Sequence, residues 1–126
     1  MPAPDRRRLR LFLLGLLLPF AVLRLLLHAS PNANFDVGGY NVHHLFTGLL
    51  LVTAGGVPLA VRRGPERLLD LCAGVFGVGL SLALDEWVYL IATDGSDASY
   101  LLPISLWGGV VMVGSACAYA LLVSRQ

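Results

Sequence analysis

Two pairs of neighbouring ionisable residues carry whatever chemistry this chain can do. His43 and His44 stand in "YNVHHLFTGLLLV", where a polar stretch gives way to a long apolar run. Asp85 and Glu86 stand in "LALDEWVYL", well inside another such run. Neutral imidazole and carboxylate are the mixed nitrogen and oxygen donors that suit zinc or another divalent first-row ion. His43, His44, Asp85 and Glu86 therefore form a candidate metal site, with Asp36 or Tyr89 as further ligands. A water on such an ion would be a nucleophile for a metal-dependent intramembrane hydrolase.

The same residue types relay protons and line ion paths in membranes. That raises a proton-coupled small transporter or channel, which with so few helices would act as an oligomer. A third reading needs no turnover. Arg24 would pair with Asp85 or Glu86, while His28, His43 and Tyr89 satisfy the remaining lone pairs. The cluster would then fix helix register in a structural or accessory membrane subunit.

Adjacent carboxyls inside an apolar span are expensive. Insertion scales put each charge at roughly 2.5–3.5 kcal/mol at mid-bilayer, less toward the surface. Asp85 and Glu86 must pair, accept hydrogen bonds or border water rather than face lipid. Successive helical residues diverge by about 100°, so the two cannot serve a single atom. One member of each pair is expected to look into the bundle and the other toward a different neighbour.

The elements that would hold these groups are helices. Of 126 residues, 56% are hydrophobic and only 13% charged, with mean hydropathy +0.73. A soluble domain devotes about a quarter of its residues to charge. Four apolar segments, 11–27, 42–61, 68–92 and 101–123, approach or exceed the roughly 20 residues a membrane helix needs. Their long runs lack the two-residue alternation of a barrel strand. The fold class is an all-α membrane protein, a four-transmembrane-helix bundle forming one domain over residues 1–126.

Eight of the nine arginines precede the first segment, fill "RRGPER" or close the chain; only Arg24 lies within a span. The other two connectors hold Asp36, Asp94 and Asp97 but no arginine. This bias places both termini in the cytoplasm (N-in/C-in) of a multi-pass inner (plasma) membrane protein. The first segment resembles a secretory signal in its basic and apolar regions, yet Arg24 and a poor cleavage site favour a retained span. Pro19 is expected to kink it.

Counting outward from mid-span gives His43 and His44 a depth about 10–12 Å beyond Leu51, and Asp85 and Glu86 about 8–9 Å beyond Leu80. Arg24, Ser105 and Trp107 fall in the same stratum, with His28 one turn further out. Glycines and serines repeat at three- and four-residue steps along the second, third and fourth segments, which lets helices approach closely. Trp87, Tyr89, Tyr100 and Trp107 read as interface anchors. Cys72 and Cys117 read as small core residues rather than a disulfide. No phosphate-cradling glycine motif, Ser-His-acid arrangement or haem-type histidine pair is present. Catalysis is thus less favoured than a binding or structural role. The expected partners are the lipid bilayer and a second copy or larger membrane complex, with no nucleic acid.

Overall fold

The computed structural model of the chain describes residues 2–31, 36–37 and 40–126, leaving aside the side chains of residues 36, 37, 40 and 41. Four long helices dominate: α1 (Ala3–Ala29), α2 (His44–Val61), α3 (Glu66–Ala92) and α5 (Pro103–Val123). All four are long and apolar enough to cross a membrane. Between α1 and α2, β1 (Asp36–Val37) pairs antiparallel with β2 (Tyr40–Asn41). Between α3 and α5 lies the one-turn helix α4 (Asp97–Tyr100).

The helix ends follow local chemistry. α1 begins well before the apolar segment, because Arg7 and Arg8 on its first turns reach acids on α3. It runs through Pro19 without interruption. α2 stops where Arg62 turns left-handed at φ 50°, and Gly64 at φ 127° carries the chain into Pro65, the N-cap of α3. That φ is open to glycine and strained for other residues. Pro103 starts α5, the first helical position that proline tolerates best.

α3 is the axle of the bundle. Half of its most apolar window is buried, against 11–17% for the other three long helices. It packs on α1, α2 and α5, and α1 also meets α5. Among the described residues, α2 approaches neither α1 nor α5. The closest packing is backbone to backbone. A Cβ added at Gly48 would sit 2.5 Å from the Gly79 carbonyl oxygen, and one at Gly55 2.6 Å from that of Cys72. Only glycine lets α2 lie so near α3. Phe12 of α1 stacks on Phe76 of α3 with ring centroids 5.6 Å apart.

Large apolar side chains cover the outside; Leu25 and Ile91 are each 74% exposed and Leu50 73%. A soluble bundle would bury such residues, whereas a small membrane protein presents them to lipid. At one end of the bundle, Arg7 meets Asp70 at 2.5 Å and Arg8 pairs with Asp70 and Glu66. At the other end lies the second, more buried ionic cluster.

Candidate functional site

The cluster is built by four long helices and one turn. α1 contributes Arg24, α3 contributes Asp85 and Glu86, α2 contributes His43 and His44 at its start, and α4 delivers Tyr100. Ser105 joins from the first turn of α5. Residues up to 81 positions apart in the chain are thereby brought within hydrogen-bonding distance.

Arg24 is buried and makes five hydrogen bonds. Its Nε donates to Asp85 Oδ1 at 2.7 Å. Nη1 donates to the Tyr100 carbonyl and to Ser105 Oγ, each at 3.1 Å. Nη2 donates to the carbonyls of Asp85 and Ser105 at 3.1 and 3.0 Å. The guanidinium has five N–H groups in a rigid fork, and this geometry gives it five acceptors. The Tyr100 ring covers it, with the guanidinium carbon 4.1 Å from the ring centroid.

Asp85 is fully buried. Its Oδ1 faces Arg24, and its Oδ2 accepts from Tyr100 Oη at 2.5 Å and lies 2.8 Å from His44 Nε2. Burial first, then the Asp85 charge, pushes the Tyr100 phenol far above its ordinary range, so it serves as a donor. Glu86 turns the other way, onto α2. Its Oε2 accepts from the Leu45 amide at 2.8 Å, and its Oε1 lies 3.3 Å from Nδ1 of both His43 and His44. α2 has no side-chain cap of its own, so Glu86 caps it from a neighbouring helix. The anionic group also sits at the positive end of that helix dipole.

His44 is the hinge of the arrangement. Its Nε2 faces Asp85 and its Nδ1 faces Glu86, so one ring bridges the two carboxylates. The histidine side chains are 23% (His43) and 21% (His44) exposed, while both carboxylates are buried. The imidazoles therefore form the partly exposed rim of a buried ionic core.

The structure brings Arg24, His43, His44, Asp85 and Glu86 together. His28 does not join them: it is exposed, and its Nδ1 lies 2.6 Å from the Arg24 carbonyl on its own helix. Tyr89 touches the cluster only through its ring, 5.9 Å from that of His43 and 5.3 Å from that of Tyr100. Its hydroxyl reaches the Gly95 and Ser96 carbonyls instead, pinning the α3–α4 loop. The Asp36 side chain lies outside the described residues.

Among the described residues no group of three or more His, Cys, Asp or Glu side chains is disposed to hold a metal ion. The physical reason is competition. The carboxylate oxygens that would ligate a cation already accept from the guanidinium, the phenol and the α2 amide, and the imidazoles turn to the carboxylates directly. Arg24 Nη2 stands 2.6 Å from Asp85 Oδ1, where a second cation would meet strong repulsion.

Tyr100 and Asp70 are the polar partners that sequence reasoning missed. Tyr100 read as an interface anchor, although a buried Asp85 demanded a donor from some neighbouring element. Asp70 lies one turn into α3 at the end where Arg7 and Arg8 stand on α1, a meeting that the spacing within either segment does not mark. Comparisons with protein-family models, with curated proteins and with solved structures found no match to the chain.

Proposed function

We propose that the protein is a small polytopic inner-membrane protein with both termini cytoplasmic. Its outward-facing His/Asp/Glu/Arg cluster is a structural clamp, and the chain serves as an accessory subunit of a homo-oligomer or larger membrane complex. One observation carries the clamp: all five Arg24 donors and both Asp85 oxygens find partners within the chain, leaving neither free for a substrate. Supporting the orientation, the starts of α1 and α3 meet at the arginine-bearing end through Arg7, Arg8 and Asp70. A divalent-metal site, and the hydrolase built on it, draws no support from the donor geometry.

Proton-coupled transport is the second reading, favoured by the bridging position of His44 between two carboxylates and by its partial exposure. Against it, Leu16, Ala73 and Gly77 are buried between the two ionic clusters, and the buried Ser81 hydroxyl, one turn from Asp85, makes no hydrogen bond that would extend a path.

Purified protein in mild detergent, and the same protein in liposomes, separates the readings. The clamp predicts no stoichiometric metal, no proton flux, and a lower unfolding temperature for Asp85→Asn and His44→Ala. Stoichiometric metal lost in His44→Ala would establish the metal site, and flux abolished by Asp85→Asn would establish transport. Reporter fusions at both termini test the orientation, and chemical crosslinking in native membranes tests the complex.

A further inference from the structure

α1 and α2 both lean on α3 without approaching each other, and the space between them is a groove of about 330 Å³. Leu11, Leu51, Leu71, Val75 and Val78 line it, and Gly74 opens its floor; a Cβ there would meet nothing within 4 Å. Its one charged lining residue is Asp70. That carboxylate is already matched by Arg7 and Arg8, and the Arg7 side chain remains 57% exposed.

Charge sets what fits there. The end of the bundle at which the groove terminates carries eight arginines against Asp5, Glu66 and Asp70. Arg67 precedes Asp70 and Leu71 by three and four residues, hence lies on the same face of α3, one turn nearer that end. A second apolar groove of about 440 Å³, between α1 and α5, has no charged lining residue.

We propose that the groove between α1 and α2 binds an anionic phospholipid, an acyl chain lying along Gly74 and the phosphate meeting Arg7 and Arg67. Guanidinium groups at a membrane surface each favour an anionic head group by about 1 kcal/mol, roughly fivefold in affinity. The groove supplies the apolar half of the ligand's chemistry and the arginines the polar half. The inference rests on the membrane-spanning reading above.

The test uses the full chain, reconstituted into vesicles of equal phosphatidylglycerol and phosphatidylcholine, re-extracted, and weighed with its retained lipid by native mass spectrometry. With two guanidiniums at the phosphate, the wild-type chain is expected to keep phosphatidylglycerol over phosphatidylcholine by about 25-fold. Gly74→Phe fills the groove and loses that lipid, with its thermal unfolding unchanged. Arg67→Gln keeps the chain folded but lowers the preference about fivefold. Equal retention of the two lipids by the wild type overturns the inference, as does wild-type retention by a folded Gly74→Phe. So does a wild-type dimer that Gly74→Phe splits, since a second copy would then be the occupant. If Gly74→Phe unfolds, the wild-type preference and Arg67→Gln decide alone. A chain that never enters the vesicles defeats the membrane-spanning reading instead.

Discussion

Arg24 Nε and Nη2 both converge on one oxygen, Asp85 Oδ1, at 2.7 and 2.6 Å. The guanidinium also donates to the Asp85 carbonyl, to Tyr100 of α4 and to Ser105 of α5, so one side chain of α1 ties it to α3, α4 and α5. Removing one member of a buried pair strands the other. Arg24→Met is expected to destabilise the fold by about 3–5 kcal/mol, read by unfolding in mild detergent. Arg24→Met combined with Asp85→Leu should recover much of that loss. A double variant as unstable as the single one would show that the pair is not the clamp.

Glu86 acts on a backbone amide as well as on two rings. Glu86→Ala leaves the Leu45 N–H uncapped, at a cost of about 1 kcal/mol, which corresponds to amide exchange roughly fivefold faster at Leu45. Glu86→Gln keeps an acceptor oxygen there and should exchange at a rate close to the wild type. Equal acceleration in the two variants would assign the effect to charge rather than to capping.

Gly48 and Gly74 make opposite predictions although both lie within helices. A side chain at Gly48 would press on the Gly79 carbonyl and on the Ala83 amide, 2.5 and 2.7 Å away. Gly48→Leu must push α2 off α3 and is expected to cost at least about 1–3 kcal/mol. Gly74→Ala meets open space and should be neutral or stabilising by up to about 1 kcal/mol, from helix propensity alone. Unfolding temperatures of the two variants check this directly, and a neutral Gly48→Leu would contradict the close packing.

The α3–α4 loop supplies a pH signature of its own. The Ser99 hydroxyl first, then the Ser96 amide, holds the Asp94 carboxyl down at about 2 from an ordinary 3.8. The charged form accepts those bonds, so their contribution is fully present above the ordinary carboxylate value and vanishes as pH falls through about 2. The loop should look the same at mildly acidic and neutral pH. A side-chain NMR titration of Asp94 with a midpoint near 3.8 would show that the bonds do not form in solution.

The sequence made the helices and the meeting of their polar groups legible for one reason: charge is too costly in an apolar span to stand alone. Depth counting therefore put Arg24, His43, His44 and Asp85 in one stratum. It could not choose rotamers. His28, one turn further out, turns back to its own helix carbonyl, and Tyr89, a partner by residue type, sends its hydroxyl to the loop. Glycine steps on α3 marked close packing without saying which helix lay against which step. That α3 stands at the centre followed from contacts between distant segments, which periodicity within a segment does not encode. The extra turns of α1 were hidden because its arginines read as a topology signal, and only Asp70 and Glu66 explain why that stretch is ordered against α3.

Because α1 and α2 approach nothing in common except α3, the first two helices have no surface to recognise in each other while the ribosome is still producing the third. Assembly is deferred until residue 92 has emerged, and Tyr100 and Ser105 must follow before Arg24 has its full set of acceptors. A nascent chain halted after α2 would hold an unmatched guanidinium and two helices with no contact between them. Such an intermediate is a natural target for quality-control proteolysis.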